Sequence, residues 1–305
     1  MKEYPLVSVV VVTYNSSQTI LQTLESVRMQ DYEKIELIIS DDNSSDNTVA
    51  VCEEWINNHR NRFVKSKIIT TSNNTGVTGN VNRGWRSCSG EWVKIFGGDD
   101  LFLPHAISAV MDFVTPEKSI IVSQYNSFTE VNGKEIIGPL HPKSELATFY
   151  EEENPEIRKK LILHTFIEAT IGYFIRRSVL ESVDGYDERF PMFEDAPMFF
   201  KLTYLGYKFY LLEKSCFLYR ISESITHPSI DKVYNVRFKE SSLLYHRKVV
   251  NRHIPWWNII YHQSFWMAYI QFHLIVKLAH NRNNRLSHFI KTVIYYLTLD
   301  NYLKK

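Results

Sequence analysis

The stretch Glu91-Trp92-Val93-Lys94-Ile95-Phe96-Gly97-Gly98-Asp99-Asp100 decides how this chain reads. An apolar run with strand character ends in two glycines and then two adjacent carboxylates. Hard oxygen ligands therefore stand at the carboxyl end of a sheet strand, where open α/β sheets bind their ligands. Neighbouring carboxylates repel each other unless a cation neutralises them, and a divalent ion carried by a substrate's phosphates would do so. Gly and Asp are also turn formers in their own right, so a plain strand-ending turn stays open at this point.

Upstream, Val7-Ser8-Val9-Val10-Val11-Val12-Thr13-Tyr14-Asn15 is a short β-branched run bounded by polar residues, which predicts a fully buried strand. It is too short and too poorly flanked for a signal peptide. Ser16-Ser17 is placed to cap a helix whose apolar positions Ile20, Leu21, Leu24, Val27 and Met29 fall mostly on one face. A second strand, Ile35 to Ser40, runs into Asp41-Asp42-Asn43-Ser44-Ser45-Asp46-Asn47-Thr48. A helix with Val49, Cys52, Trp55 and Ile56 at helical spacing follows, then a third strand near Lys67 to Thr71. This alternation implies parallel pairing through right-handed crossovers. The polar clusters Thr13-Tyr14-Asn15, Asp41-Asp42 and Asp99-Asp100 are then expected to meet at one edge.

An Asp at the end of the second strand can accept hydrogen bonds from a base or ribose, and a metal held by the third cluster can bridge a diphosphate. A nucleotide-diphosphate donor meets both requirements. An Asx-turn with a helix cap also accounts for Asp41-Asp42, but Asp46 or Asn47 could provide that cap, and Asp42 reads as surplus to it.

With Gly90-Glu91-Trp92-Val93 and Phe193-Glu194-Asp195 added to these stretches, the chain resembles the family 2 inverting glycosyltransferases of GT-A fold over residues 5–225. The resemblance implies an α/β fold, a Rossmann-like and mostly parallel sheet flanked by helices, with a helical C-terminal appendage. It implies that Thr13, Tyr14 and Asn15 line the nucleotide site, that Asp42 holds the base or ribose, and that Asn82 and Asp99 belong to the same site. Asp99 and Asp100 fill the family's Asp-x-Asp-like position, for a divalent cation (Mg or Mn) with Asp100 as the more direct ligand. Asp195 falls at the position of the catalytic base, beside Glu194. In two places the chain departs from the family's pattern. Val81 stands where many members carry the Arg of an Arg-Asn pair, which moves a phosphate or base contact to Arg83 or removes it. Tyr219-Arg220 is followed by Ile221-Ser222-Glu223 rather than an early His, which makes His227 the candidate replacement ligand to metal or diphosphate, although a lone loop His is more often simply solvated.

The residues themselves support Asp195 less strongly. Displacement at an anomeric carbon with inversion needs one carboxylate to take the proton of the incoming hydroxyl while the diphosphate leaves from the opposite face. Phe190-Pro191-Met192-Phe193-Glu194-Asp195-Ala196-Pro197-Met198-Phe199-Phe200 sets two carboxylates in an otherwise apolar segment ahead of a helix. Desolvation there raises a carboxylate pKa, while a helix N-terminus favours the anion. Taken alone, a helix cap with Pro197 in the first turn is the simpler reading of Glu194 or Asp195.

With 305 residues, 44% hydrophobic and a formal net charge of +1, the chain can bury one sizeable domain plus an appendage, and no charge excess points to nucleic acid. Cys52, Cys88 and Cys216 lack metal-ligand spacing, which suits a reduced, cytoplasmic setting. Residues 1–225 are expected to form the catalytic domain, a nucleotide-sugar half over 1–115 and an acceptor half over 116–225. In the latter, Ser119 to Tyr125 reads as a strand, Val131-Asn132-Gly133-Lys134 as a hairpin turn and Glu151-Glu152-Glu153-Asn154-Pro155-Glu156 as the start of a helix. Residues 226–305 are expected to form a basic, aromatic helical tail. From His246 to Lys305 there are nine Lys or Arg against the single acidic residue Asp300. No charged residue falls between Asn258 and Val276, yet His262, Gln263, Ser264, Gln271 and His273 make that run a poor membrane span. Such a tail suits either a helix lying on an anionic leaflet or a helical pair packed on the catalytic domain.

These readings converge on a cytoplasmic glycosyltransferase, peripheral on the inner face of the membrane. It would move one sugar with inversion from a nucleotide-diphosphate sugar donor to a hydroxyl of a glycan or lipid-linked acceptor in surface polysaccharide synthesis. A sugar nucleotidyltransferase would share the sheet but needs a Gly-rich, basic phosphate loop, and Thr13-Tyr14-Asn15-Ser16-Ser17-Gln18 has neither. A dinucleotide oxidoreductase fails for the same reason. A catalytically inactive nucleotide- or sugar-binding subunit stays open, because motifs do not prove turnover.

Overall fold

The computed structural model describes residues 4–131, 134–142, 147–163, 171–221 and 231–303. The chain divides into two compact units, Met1–Ile221 and Ser222–Lys305.

In the first unit β1 (Val7–Thr13), β2 (Ile35–Asp41), β3 (Lys65–Ile69) and β4 (Trp92–Gly97) pair in parallel, in the order β3-β2-β1-β4. The crossovers are α1 (Ile20–Arg28), α2 (Thr48–His59) and α3 (Gly76–Arg86). Side chains alternate across a strand, so Val7, Val9 and Val11 pack with Ile20, Leu24, Cys52 and Trp55 of α1 and α2. Val10 packs on the opposite face, with Val81 and Trp85 of α3. Covered on both faces, β1 is apolar but for its buried Ser8 and its terminal Thr13, and each buried Val contributes about 1.5–3 kcal/mol.

Beyond β4 come β5 (Leu101–Phe102), α4 (Ala106–Phe113), β6 (Ile120–Val131), β7 (Lys134–His141), α5 (Ala147–Glu151) and α6 (Pro155–Ile162). The unit closes with β8 (Tyr173–Arg176), α7 (Arg177–Ser182), α8 (Asp195–Tyr204) and β9 (Tyr210–Arg220). Strand β8 is antiparallel to both β4 and β6, β9 is parallel to β6, and the short β5 returns antiparallel on β9. The order is β3-β2-β1-β4-β8-β6-β9-β5, with β7 paired to β6.

Local details correct the sequence reading. Ser16 and Ser17 do not cap α1 with their side chains; the Ser16 carbonyl accepts from the N–H groups of Thr19 and Ile20 instead. Leu21 and Met29 lie exposed, because Ile20, Thr23, Leu24 and Val27 form the buried face of α1. The third strand starts at Lys65, and β6 continues past Tyr125 to Val131 because β7 and β9 flank it on both sides. Helix α6 starts where Asn154 Oδ1 accepts from the Glu156 N–H at 2.9 Å.

The second unit contains α9 (Val236–Lys248), α10 (Ile259–Leu278), α11 (Arg285–Leu297) and α12 (Asp300–Leu303). Leu243 packs with Phe265 and Phe272, and Ile275 packs with Ile290 and Ile294. Among the described residues no helix is long and apolar enough to cross a membrane.

Candidate active site

The parallel register brings the polar strand ends together. Thr13 pairs with Asp41 across β1 and β2, and Val12 pairs with Gly97 across β1 and β4. At this edge the Thr13 hydroxyl is buried with no hydrogen-bond partner among the described residues, and Tyr14 stands 50% exposed. Asn15 adopts a left-handed φ of 51°. Its N–H donates to Ser44 Oγ and its side-chain carbonyl accepts from the Ser45 N–H, both at 2.8 Å, which ties the end of β1 to the loop after β2.

Asp99 and Asp100 turn back over the end of β4. A Cβ added to Gly97 would stand 2.8 Å from Asp99 Oδ1 and 3.1 Å from Asp100 Oδ2, so the glycine leaves open the space that the two carboxylates share. Burial pushes the Asp99 carboxyl up, and burial together with the Asp99 charge pushes Asp100 well above the usual carboxylate range. Asp100 accepts from the Arg220 N–H at 2.9 Å, while the Asp100 carbonyl accepts from Thr23 Oγ1 at 2.8 Å. Glu36 shows the contrast at the amino-terminal end of the sheet. There Ser8 and Ser89 donate to it and hold its pKa down against burial, so it has no need of a cation.

Asp42 takes no part in the local turn and cap, but it serves a cap elsewhere. Its side chain is 4% exposed, and it caps a helix distant in sequence: Oδ2 accepts from the N–H groups of Thr75 (2.9 Å) and Gly76 (2.8 Å) at the start of α3. Oδ1 accepts from Thr75 Oγ1 at 2.6 Å and from Arg83 Nη2 at 3.1 Å. Asp41 makes its own Asx-turn with Ser44, and Asp46 takes the Thr48 N–H at the start of α2. Asn82 is likewise turned inward. It is 1% exposed; its amide donates to the Tyr186 carbonyl and Glu188 Oε1, and its carbonyl accepts from Trp85 Nε1 and the Tyr186 N–H. Asn82 therefore shapes the turn around Gly185, and Arg83 pairs with Asp42.

The acidic segment before α8 docks on the same helix end. Thr78 Oγ1 donates to the Phe190 carbonyl at 2.6 Å, and the Thr78 N–H to the Pro191 carbonyl at 3.2 Å. Glu194 occupies the N-cap position of α8, but its side chain makes no cap bond, and burial raises its pKa. Asp195 opens the helix, and Tyr173 Oη lies 3.5 Å from its Oδ1 and 2.6 Å from Tyr186 Oη. Both tyrosine pKa values are pushed far up by burial and by the neighbouring acids. His227 lies outside the described residues, among which no group of three or more His, Cys, Asp or Glu could hold a metal ion.

Residues 8–184 match the sequence model of the family described as Glycosyl transferase family 2. The chain belongs to glycosyl transferase family 2. This glycosyltransferase is 28% identical, over 76% of its length and 71% of the relative's, to a GalNAc(5)-diNAcBac-PP-undecaprenol beta-1,3-glucosyltransferase of Campylobacter jejuni. It is 32% identical, over 41% of its length and 47% of the relative's, to the Escherichia coli glucosyltransferase WfaP, named as acting on an alpha-D-GlcNAc-diphosphoundecaprenol. Among solved structures it resembles S. aureus TarS in complex with UDP-GlcNAc (TM-score 0.57, 18% identity, 96% of this chain and 81% of that one). It also resembles the Pyrobaculum calidifontis mannosyltransferase PcManGT in complex with GDP-Man and Mn2+ (TM-score 0.59, 16% identity, 99% and 83%). At these identities the likeness is one of fold, and the fold is GT-A.

Two residues of this glycosyltransferase carry weight that its sequence does not announce. Arg220 donates through Nε to the Asp99 carbonyl at 2.8 Å, through Nη1 to Glu130 at 3.0 Å and through Nη2 to Gln22, while its guanidinium lies 4.5 Å from the centre of the Phe128 ring. Lys94, on β4, is 0% exposed. Its ammonium donates to the carbonyls of Ile171 and Tyr173 and sits 4.2 Å from the Phe217 ring centre. Burial brings its pKa down to about 7 against the opposing pull of Asp100 and Asp195, so one buried ammonium lies in the field of both acidic clusters. A charged residue in the middle of an otherwise apolar strand is the signal that could have found it.

Proposed function

We propose that this glycosyltransferase moves a sugar, with inversion, from a nucleotide-diphosphate sugar to a hydroxyl of a glycan or lipid-linked acceptor in surface polysaccharide synthesis. It would work from the cytoplasmic face of the membrane, with the second unit as its peripheral attachment. The carrying observation is the space above Gly97, shared by the buried Asp100 and the partly buried Asp99, whose like charges repel, beside the open edge formed by Thr13, Tyr14 and Asn15. The names of the relatives, which act on undecaprenol-diphosphate sugars, support a lipid-linked acceptor.

A divalent cation, Mg or Mn, fits this acid pair, since a bound charge of opposite sign offsets both the burial and the repulsion that raise the two pKa values. Asp100 and Asp99 would hold it, and it would supply charge neutralisation to the departing diphosphate. PcManGT, solved with Mn2+, shares the fold. Tyr14 offers an aromatic face to the base, and the unpaired Thr13 hydroxyl and Asn15 line the same edge. Asp42 and Asn82 act on the donor indirectly, by fixing α3 and the turn around Gly185.

Asp195 takes the proton of the acceptor hydroxyl as that oxygen attacks the anomeric carbon, and the bond to the diphosphate breaks on the far side. The two buried tyrosines near Asp195 stay protonated; Tyr173 can donate to Asp195, with Tyr186 bonded to the Tyr173 hydroxyl. Glu194 is the second candidate base, because no cap bond occupies it.

The test is to incubate the protein with a panel of nucleotide sugars and an undecaprenyl-diphosphate-sugar acceptor, and to follow release of nucleoside diphosphate. Turnover lost in chelator and in Asp100→Asn supports the reading. Full activity in excess chelator would remove the metal, and donor binding without turnover under every condition would leave a binding subunit.

A further inference from the structure

The second unit buries its small core and still leaves large apolar side chains on its surface. Helix α10 packs with α9 through Phe265 and Phe272, and with α11 through Met267, Leu274 and Ile275. The strip between those contacts carries Ile259, Trp266, Ile270 and Lys277, all exposed and spaced by seven, four and seven residues, which keeps them on one face. Helix α11 repeats the pattern. Ile290 and Ile294 point inward, while Leu286, Phe289, Val293 and Tyr296 form a second outward stripe, with Phe289 65% exposed.

The two helices run antiparallel, as the bond from Gln263 near the start of α10 to the Leu297 carbonyl at the end of α11 shows. Successive residues therefore turn in opposite senses about the two axes, and both outward stripes fall on the same side of the hairpin. The segment leading into α10 adds Trp256 and Trp257, 81% and 66% exposed. A water-soluble surface has no use for this much aromatic area in one place.

We infer that this aromatic face of the α10–α11 hairpin docks on the surface of an anionic phospholipid bilayer. The charge decides the occupant. Arg252, Lys277, Arg282 and Arg285 are exposed around the face, and among the described residues none of them forms an ion pair. With nine Lys or Arg against one Asp from residue 246 onward, a second copy would bring charge of the same sign, whereas anionic headgroups bring the opposite one. Trp and Tyr rings seat at headgroup level, and a helix too polar to span a bilayer still lies on it. The inference rests on the lipid-linked acceptor proposed above, because docking by this face would keep the enzyme at the surface where such an acceptor resides.

The test uses the full-length protein and sedimentation with vesicles of phosphatidylcholine or phosphatidylglycerol. Binding is expected to phosphatidylglycerol and to weaken in raised salt. The triple change Trp256→Ala, Trp257→Ala and Phe289→Ala should reduce it about tenfold, as should Lys277→Gln with Arg285→Gln. Hydrolysis of the nucleotide sugar in solution should be unchanged in both variants, which shows that they fold. Equal binding of variants and wild type, or equal binding to both lipids, overturns the inference. So does a concentration-dependent dimer abolished by the aromatic changes, which would assign the face to a second copy. Wild-type protein that binds vesicles but turns over no donor would sink the proposed function and leave this face standing.

Discussion

The backbone N–H of Arg220 donates to Asp100 Oδ1 at 2.9 Å, across 120 residues of sequence, and the Arg220 side chain clasps the Asp99 carbonyl from the same position. The acid pair is thus held by a strand end at the far side of the sheet as well as by its own strand. Arg220→Ala should lower stability by about 3 kcal/mol, since it leaves a buried carbonyl and Glu130 without their partner. Donor turnover should fall at least about tenfold even where the protein remains folded, because the carboxylates lose their orientation. Arg220→Lys, which keeps the charge but loses the fork, should lie between. Near-normal turnover and melting in Arg220→Ala would show that the end of β4 holds the pair unaided.

Asp42 tests how far a structural role reaches. Asp42→Ala removes four donors' acceptor at the start of α3, and a loss of about 3 kcal/mol is expected, seen as a clear fall in melting temperature. Asp42→Asn should retain part of it. Unchanged melting with weakened binding of nucleoside diphosphate would return the residue to the nucleotide.

Lys94 sets a pH dependence. Its pKa falls from 10.5 unfolded to about 7 folded, so between those values the unfolded chain binds more protons and stability rises with pH. The ammonium costs stability in full below pH 7 and progressively less above it. Lys94→Met removes that titration, so the stability of the variant relative to wild type should decline from pH 7 toward pH 10, at up to about 1.4 kcal/mol per pH unit. Denaturant melts of both proteins across this range provide the measurement. Parallel curves would mean that Lys94 stays charged in the folded protein.

The base assignment separates two neighbours. Asp195→Asn keeps shape but cannot accept the acceptor's proton, and transfer should fall about a hundredfold or more with donor binding intact. Glu194→Gln should fall less. The product should carry the anomeric configuration opposite to the donor's. A retained configuration, or a crippled Glu194→Gln beside a near-normal Asp195→Asn, would mean that the carboxylate or the mechanism is misassigned.

What the sequence makes legible is local. β1 and β4 are readable because burial on both faces demands mostly apolar runs, interrupted only by Ser8 and Lys94, and their polar ends meet because parallel strands put like ends side by side. What escapes it is the destination of side chains. Nothing near Asp42 in sequence shows that its carboxylate reaches Thr75 and Gly76, and nothing near Asn82 points to Tyr186 and Glu188. A capping rule that looks one to three residues ahead does not find a helix that begins thirty-four residues later. Arg220 escapes for the same reason, and Lys94 because a lysine in a strand reads as an edge or surface residue until the sheet closes around it.

The first turn of α3 meets the end of β2 and the segment before α8 at once: Asp42 grips the N–H of Gly76, and a Cβ added to that glycine would stand 2.5 Å from the Pro191 carbonyl oxygen. If residues 1–115 serve the donor and 116–225 the acceptor, as the sequence suggests, the two halves would not be interchangeable parts. A chimera that takes its donor half from one relative and its acceptor half from another inherits two different fits to a single turn of helix, and a graft intended to change only the sugar would have to carry residues 75–78 and 190–195 together or lose the alignment of both.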